Sequence, residues 1–281
     1  MRKLLFLILF LSATCTSWAK YNPEVNVPED QMADIKTSVS VIKRLPKLAR
    51  EALIACKLGL LFVPDGSAAY KDEETFYEKT NIKYFRSCGG ARFIASDGKM
   101  YGYIDVWQSK ANSKPKLRET WDKACQVIFN YGEDNIFSAF KDEVTKLVLL
   151  TAKNRYMSMP EELRYLYIAE IAGYVYTPDG KNGVERWHEK HKSAVFRGTH
   201  RSAVYNMMYK SDVLLVYPDG REVDYRKMMS SKGKHLGAWD VCMLCENLVG
   251  AKDILALFPK DRDAMKAAYE KRTGMSAPEP Q

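Results

Sequence analysis

The sequence contains two segments of twenty-one residues that resemble each other. Residues 46–66 read PKLAREALIACKLGLLFVPDG, and residues 160–180 read PEELRYLYIAEIAGYVYTPDG. Aligned without a gap, the segments are identical at eight positions, including the first proline, one arginine and the terminal Pro-Asp-Gly. Self-similarity within one chain is the sequence signature of a structural unit that occurs more than once. The repeat therefore constrains the fold more than any single residue does.

The similarity continues along the chain beyond these segments. Residues 76–87 (FYEKTNIKYFRS) match residues 187–198 (WHEKHKSAVFRG), and both keep Glu-Lys followed by Phe-Arg. Residues 121–140 and 239–258 both begin with Trp-Asp and end with phenylalanine. Gaps fall between the matching blocks and none falls within them, which is the pattern expected when insertions are confined to loops.

Each half of the chain also contains one hairpin signal. Residues 92–103 (RFIASDGKMYGY) and 214–225 (LLVYPDGREVDY) place apolar residues before Asp-Gly and a tyrosine five residues after the glycine. Glycine accepts the positive φ that a tight hairpin turn requires, so Asp-Gly between two such runs predicts a β-hairpin.

These matches predict an α+β fold that is predominantly helical and built by tandem duplication. The repeated unit is a helix, a turn, a helix, a β-hairpin and two further helices, and the two units are expected to pack with a pseudo-twofold relation. The predicted organisation is a signal peptide (1–19), an N-terminal extension helix (20–45), repeat unit 1 (46–155), repeat unit 2 (160–273) and a disordered tail (274–281).

The first nineteen residues have the three-part layout of a secretory signal peptide. Arg2 and Lys3 precede an apolar run, and small residues flank Trp18 at its end. Such a segment is too short to span a bilayer, and no later stretch is apolar enough for a transmembrane helix of the mature chain. We therefore expect export to the periplasm or the extracellular medium. Acylation of Cys15 is the weaker alternative, because the residues before it form a poor lipobox.

The net charge of the chain is basic. It is +8 overall and +6 once the two positive charges of the predicted signal peptide are removed. A basic exported protein attracts anionic partners such as acidic glycans or lipids, because the charge favours their encounter. The lysines are spread along the chain without a base-stacking motif, so no specific nucleic-acid partner is expected.

Five cysteines remain after removal of the predicted signal peptide. In an oxidising compartment an odd number indicates two disulfides and one thiol. The disulfide candidates are Cys56, Cys88, Cys242 and Cys245, and their connectivity stays open; Cys125 is the fifth cysteine. The Cys242-x-x-Cys245 pair has two other interpretations, a redox couple and half of a metal site.

Polar and aromatic residues shared by both halves either brace the repeated unit or bind a ligand. In the structural role, they are acids that stabilise turns and residues that form ion pairs on helix surfaces. The ligand-binding alternative depends on arginine, whose guanidinium forks onto phosphate or carboxylate and stacks on aromatic rings. Its candidate residues are Arg50, Arg164, Arg86, Arg197, Trp121 and Trp239.

Histidines and one cysteine suggest two kinds of catalytic chemistry. His188 and His191 lie three residues apart on one predicted helical face, a spacing that permits two metal ligands. Surface histidines without a metal are the alternative. Cys88 precedes two glycines, and His200 is a candidate base for it across the interface of the units, which would make the two a catalytic pair. A half-cystine is the alternative for Cys88.

The candidate functions belong to two classes. The first is an exported, non-enzymatic binding or envelope-assembly protein that engages a partner protein or an anionic glycan or lipid of the envelope, without a cofactor. The second is an envelope hydrolase that uses Cys88 with a histidine of unit 2, or a metal-dependent enzyme that uses His188 and His191. The repeated arginines and aromatic residues favour binding, and enzymatic activity is left open.

Overall fold

The computed structural model of this protein describes residues 29–63, 90–106, 115–179, 213–230 and 235–279. Within these ranges the chain is predominantly helical and contains two short antiparallel hairpins. The prediction of a mostly helical α+β fold is therefore confirmed. None of the helices in these ranges combines the length and the apolar composition that a membrane span requires.

The described elements follow the same order in the two halves of the chain. Each half has a helix, a hairpin, a helical turn, a long helix, a short helix and a second long helix. After an entry helix α1 (Glu29–Lys43), the elements are α2 (Lys47–Lys57), β1 (Arg92–Ile94), β2 (Met100–Gly102), a helical turn at 103–106, α3 (Pro115–Tyr131), α4 (Glu133–Phe137), a 3₁₀ turn (Ser138–Phe140), α5 (Lys141–Met157), α6 (Glu161–Ala172), β3 (Leu214–Val216), β4 (Glu222–Asp224), α7 (Tyr225–Ser230), α8 (Leu236–Val249), α9 (Ala251–Ala256) and α10 (Pro259–Thr273).

The helices α2 and α6 begin and end in the same way. Pro46 and Pro160 precede them with φ of −51° and −56°, and proline loses no hydrogen bond at a helix start. Gly59 and Gly173 follow them with φ of 70° and 75°, in the left-handed region that favours glycine. The similarity of the two twenty-one-residue segments thus corresponds to a similar helix with similar ends.

The two hairpins also have the same register. In both, the first residue of the first strand lies opposite the last residue of the second. The carboxylate of Asp97 accepts the backbone N–H of Lys99 at 2.9 Å, and that of Asp219 accepts the backbone N–H of Arg221 at 2.9 Å. The turn glycines have φ of 79° and 88°. Both hairpin predictions are confirmed.

One further residue pairs with the first strand of each hairpin. Phe62 and Arg92 exchange backbone hydrogen bonds of 2.7 and 3.0 Å, and Tyr176 and Leu214 exchange bonds of 2.8 and 2.9 Å. Phe62 and Tyr176 therefore hold the same position in their halves. Because they cover the outer edges of β1 and β3, the second strands β2 and β4 form the other edge of each small sheet.

Helix α5 lies between the two halves. It packs on α2 and β1 of the first half and, more extensively, on α8 of the second. Near its end, Tyr156 stacks on Phe258 with ring centroids 3.7 Å apart. The buried side chains of both halves form one continuous core. The two halves are therefore packed together and do not form two separate domains joined by a linker.

A buried carboxylate ties the first helix of each half to its hairpin. Glu51 accepts hydrogen bonds from the Ser96 backbone N–H at 3.1 Å and from the Ser96 hydroxyl at 2.5 Å. Glu170 accepts a hydrogen bond from the Tyr225 hydroxyl at 2.6 Å. Hydrogen bonds of this kind compensate the desolvation of a buried carboxylate. They also set the orientation of each hairpin relative to the helix.

The described part of the C-terminal tail lies against helix α10. The sequence predicts a disordered tail at 274–281, but residues 274–279 belong to the described chain. The backbone N–H of Ala277 donates to the carboxylate of Glu270 at 3.0 Å, and both Met275 and Ala277 contact the core. These contacts tie the described part of the tail to the last helix, and the disorder predicted for 274–281 stays a prediction.

Candidate binding site

Six residues predicted to carry function lie outside the described residues. They are Cys88, His200, His188, His191, Arg86 and Arg197. The catalytic pair and the metal pair therefore stay predictions. Within the described ranges, no group of three or more histidine, cysteine, aspartate or glutamate side chains is placed to hold a metal ion.

Arg50 is held by an acid of its own half. Its Nε lies 2.9 and 3.1 Å from the two carboxylate oxygens of Glu143, and its guanidinium carbon lies 5.8 Å from the centre of the Phe140 ring. The side chains of Arg50 and Glu143 are 18% and 17% exposed. Arg50 therefore braces α2 against α5, and its guanidinium is occupied.

Arg164 holds the corresponding position in the second half but has different neighbours. Its guanidinium carbon lies 5.8 Å from the centre of the Tyr156 ring, and its Nε is buried without a hydrogen-bond partner among the described residues. The nearby Asp261 accepts a hydrogen bond from the Tyr156 hydroxyl at 2.7 Å. Burial and this bond raise the pKa of Tyr156. Arg164 stays a candidate ligand-binding residue.

The two repeated tryptophans are core residues. Trp121 is 6% exposed and meets the ring of Tyr103 edge-on at 6.3 Å. Trp239 is 2% exposed and meets the ring of Tyr167 edge-on at 5.5 Å. Rings enclosed in this way present no free face to a ligand in this structure. Packing of the helices explains why tryptophan occurs at this position in both halves.

The four described cysteines are free thiols. Cys56 and Cys125 are half-buried, Cys242 and Cys245 are buried in α8, and no disulfide joins any of them. Desolvation raises the pKa of Cys56 to about 11, and it raises the pKa values of Cys242 and Cys245 as well. The thiolate is the form that attacks disulfides and binds metals. Burial therefore suppresses redox and metal chemistry of the Cys242-x-x-Cys245 pair.

This burial predicts slow thiol chemistry in the folded protein. Burial keeps the thiols of Cys242 and Cys245 away from a reagent and raises their pKa, so that little reactive thiolate is present at pH 8. We expect alkylation of Cys242 and Cys245 by iodoacetamide to be at least about 100-fold slower in the native protein than in urea. Mass spectrometry of the labelled peptides measures both rates. Equal rates in the native and unfolded states would contradict the buried placement.

A surface groove lies beside the first hairpin. Its volume is about 590 Å³, and its lining residues are Leu48, Arg92, Met100, Tyr101, Gly102, Asp105 and Val106. Met100 is 48% exposed, and a 3.5 Å ion pair joins Arg92 to Asp105 within the lining. Apolar walls with a few placed charges are typical of ligand-binding concavities.

The groove follows strand β2, because all three residues of that strand line it. The backbone N–H of Tyr103 donates to the Ala91 carbonyl, and that of Ala95 donates to the Lys99 carbonyl. Hydrogen bonds alternate along an antiparallel pair, so the backbone groups of residues 100 and 102 face away from β1. Among the described residues, no strand pairs with this outer edge of β2.

Gly102 leaves room for the ion pair of the groove. A β-carbon at Gly102 would collide with the carboxylate of Asp105 and the guanidinium of Arg92. The absence of a side chain thus lets the two charged groups pack directly on the backbone of the edge strand. The last residue of β2 therefore adds no side chain to the outer edge of the strand.

Charged residues fill the corresponding face of the second hairpin. Glu162 holds the position of Leu48 and pairs with Arg221 at 3.1 Å. Glu222 holds the register position of Met100, at the first residue of the second strand. Charged side chains on an edge strand oppose pairing with another chain. The first hairpin has apolar residues at both positions where the second has carboxylates.

An arginine lies over the aromatic ring beside each hairpin. In the second half, the guanidinium of Arg272 lies 5.3 Å from the Tyr176 ring, and its Nε lies 2.7 Å from the carboxylate of Glu222. Glu222 also accepts a hydrogen bond from the Tyr176 hydroxyl at 2.8 Å. This pairing lowers the pKa of Glu222 and raises that of Arg272.

In the first half, Arg155 lies over the ring of Phe62, with its guanidinium carbon 4.2 Å from the ring centre. Arg155 is 5% exposed, and its Nε and Nη1 atoms are buried without a hydrogen-bond partner in the described part of the chain. Desolvation lowers the pKa of this guanidinium. Phe62 lacks the hydroxyl of Tyr176, and Met100 lacks the carboxylate of Glu222. Among the described residues of the first half, no acid is paired with Arg155 as Glu222 is paired with Arg272.

Comparison of the chain with protein-family models, with curated proteins and with solved structures finds no match. The site is therefore interpreted from its own geometry. The shared positions of the two halves do not reveal it, because its residues are those that differ between the halves. The exchange of Leu48 and Met100 for glutamates is the sequence signal that would have indicated it.

Proposed function

We propose that the chain is a tandem duplication of one helix-and-hairpin unit, at residues 46–155 and 160–273, whose first copy has been specialised for binding. The shared order of elements, the equal hairpin register and the similar ends of α2 and α6 support this proposal. In such a pair, residues common to both copies maintain the scaffold. Residues that differ are free to serve a task that the scaffold does not need.

The task proposed for the first copy is non-enzymatic binding of an extended segment of a partner protein, outside the cytoplasm. The observation that carries this proposal is the exchange of Glu162 and Glu222 for Leu48 and Met100, beside an edge of β2 with which no strand pairs in the described part of the chain. A peptide that adds a strand to such an edge gains backbone hydrogen bonds, while alternate side chains enter the groove. The basic net charge of the chain, +8, favours encounter with an acidic partner.

Selection of peptides on the immobilised mature chain tests this function. Peptides displayed on phage and selected on residues 20–281 are expected to bind the wild-type protein. Substitution Leu48→Glu, which copies Glu162 into the first half, should weaken their binding at least about tenfold, because an acid then faces apolar and acidic ligand groups. Fluorescence anisotropy of the synthetic peptides measures the affinity.

The matched control is Met157→Glu, which adds the same charge at a residue that is 56% exposed and outside the groove lining. Its affinity for the peptides should equal that of the wild type. Circular dichroism verifies that both variants are folded. Selected peptides that bind Leu48→Glu as tightly as the wild type would exclude the groove, and failure to select any peptide would count against peptide binding.

A further inference from the structure

We infer that Cys56 and Cys125 close to a disulfide in an oxidising environment and thereby tie α2 to α3. The oxidant is the disulfide of a thiol–disulfide carrier, and oxidised glutathione is the simplest member of that class. The predicted export of the chain would bring it into such an environment. This second site of the first half does not depend on peptide binding in the groove.

A tyrosine brings the two thiols into one neighbourhood. The hydroxyl of Tyr103 donates a hydrogen bond to the sulfur of Cys56, which lies in the last turn of α2. The ring of Tyr103 meets the ring of Trp121 edge-on at 6.3 Å, and Cys125 follows Trp121 by four residues in α3. Side chains four residues apart lie on the same face of a helix. Cys125 is therefore on the face of α3 that Tyr103 contacts.

The electrostatic effects on the two thiols also make them neighbours. Burial raises the pKa of Cys56 to about 11, and a charge on Cys125 contributes to the same shift. Burial raises the pKa of Cys125 too, and the ammonium of Lys57 opposes the rise of the pKa at both cysteines. Because Coulomb interactions weaken with distance, one lysine acts on both thiols only where they lie near each other.

The second half has the same tyrosine contact with a carboxylate in place of the first thiol. The backbone N–H groups of Tyr103 and Tyr225 both donate to the residue before the first strand of their hairpin. The hydroxyl of Tyr225 donates a hydrogen bond to Glu170 at 2.6 Å, and Glu170 aligns with Cys56. Cysteine at this position keeps the hydrogen bond from tyrosine and adds a group that can be oxidised.

The position of the second thiol also differs between the halves. Met243 aligns with Cys125, because each is the fifth residue of a segment that begins with Trp-Asp. A thioether packs against a core as a thiol does, but it forms no disulfide. Both thiols therefore occupy positions that the shared scaffold fills with other residues, and they occur together in one half.

Exposure separates this pair from the other described thiols. Cys56 and Cys125 are half-buried, whereas Cys242 and Cys245 are buried in α8. The rate of thiol–disulfide exchange depends on access to the sulfur as well as on the thiolate fraction. Exchange with a carrier is therefore expected at the half-buried pair and not at the buried one.

Oxidation proceeds by two exchange steps. The thiolate of Cys125 attacks one sulfur of oxidised glutathione, forms a mixed disulfide and releases one glutathione thiolate. The thiolate of Cys56 then attacks the Cys125 sulfur and releases the second glutathione thiolate. The two protons lost by the cysteines go to the two glutathione thiolates. The two cysteines are oxidised by two electrons, and one glutathione disulfide is reduced to two thiols.

Oxidation of the mature chain, residues 20–281, tests the inference. The reduced native protein is equilibrated in a glutathione buffer at the potential of an oxidising compartment, and the remaining thiols are alkylated. Cys56 and Cys125 lie in separate tryptic peptides, EALIACK and ACQVIFNYGEDNIFSAFK, which mass spectrometry detects without reduction. The disulfide-linked pair of peptides should exceed the alkylated peptides at least about tenfold, which corresponds to a reduction potential about 30 mV below that of the buffer.

The matched variant is Cys125→Met, which copies Met243 into the first half. It should leave Cys56 alkylated in the same buffer, because the partner thiol has been removed. Cys56→Ser, the second variant, should likewise leave Cys125 alkylated, whereas Cys88→Ser should retain the linked peptides. Circular dichroism verifies that each variant is folded. A wild-type disulfide from Cys88 to either thiol, or a native wild type in which both thiols stay alkylated, would overturn the inference.

Thermal unfolding gives a second readout. The disulfide would close a loop of about 70 residues, and a crosslink of that span stabilises a protein mainly by constraining its unfolded chain. The oxidised wild type should therefore unfold about 5–10 °C above the reduced wild type, and this difference should vanish in Cys125→Met. An oxidised wild type with an equal or lower midpoint would show that the link does not fit the native placement of α2 and α3, and would overturn the inference.

Discussion

Substitution Phe258→Ala should destabilise the protein by about 3–5 kcal/mol, the usual range for removing a fully packed phenylalanine from a core. Phe258 is 6% exposed, and its ring stacks on Tyr156 at 3.7 Å with an angle of 19° between the ring planes. Tyr156 belongs to α5 of the first half, whereas Phe258 precedes α10 of the second. The substitution therefore removes a contact that joins the halves, and urea unfolding followed by circular dichroism measures its effect.

The control for Phe258→Ala is Phe129→Ala. Phe129 is 81% exposed, so its truncation should change the free energy of unfolding by no more than about 0.5 kcal/mol. Both variants remove the same side chain, and only its packing differs. If Phe258→Ala were as mild as this control, the stacking of the two halves at Tyr156 would be refuted.

Substitution Trp239→Ala should have an effect of similar size, about 3–5 kcal/mol. The indole is 2% exposed, and its contact with Tyr167 is close to perpendicular, at 5.5 Å and 85°. Tyr167 in turn donates a hydrogen bond from its hydroxyl to the Cys242 carbonyl at 3.0 Å, which ties α6 to α8. Loss of the indole leaves a cavity beside both helices, and thermal unfolding shows it as a lower midpoint.

The same variant distinguishes packing from ligand binding. The sequence suggests that Trp121 and Trp239 bind a ligand, whereas the structure places both rings in the core. We therefore expect Trp239→Ala and Trp121→Ala to lose stability while, below their midpoints, the folded protein retains its affinity for groove-selected peptides. A loss of affinity without a loss of stability would restore the ligand-binding role of these rings.

Much of the fold could be predicted because its signals are local. Asp-Gly specifies a turn through the positive φ of glycine, and the prolines and glycines around α2 and α6 specify helix ends in the same way. The similarity of the two halves then extended each local prediction to a second place. Predictions for Cys88 and the histidine pairs fall outside the described residues and stay predictions.

The roles of the shared arginines were less accessible to sequence reasoning. Arg50 and Arg164 align without a gap, yet one is paired with Glu143 and the other lies over Tyr156. Both neighbours belong to α5, where Glu143 lies 93 positions from Arg50 and Tyr156 lies 8 positions from Arg164. Equal sequence positions thus do not imply equal contacts, because the residues that contact each arginine lie on another helix.

The sequence by itself determined the mostly helical α+β class and the places of the two hairpins, since these depend on the conformational preferences of neighbouring residues. Only the tertiary structure decided that the tryptophans are enclosed in the core, and that Arg155 lies buried over the Phe62 ring. Those properties depend on which distant side chains share the same space. A buried charge gains or loses its partner through packing of helix against strand, which no local pattern along the chain encodes.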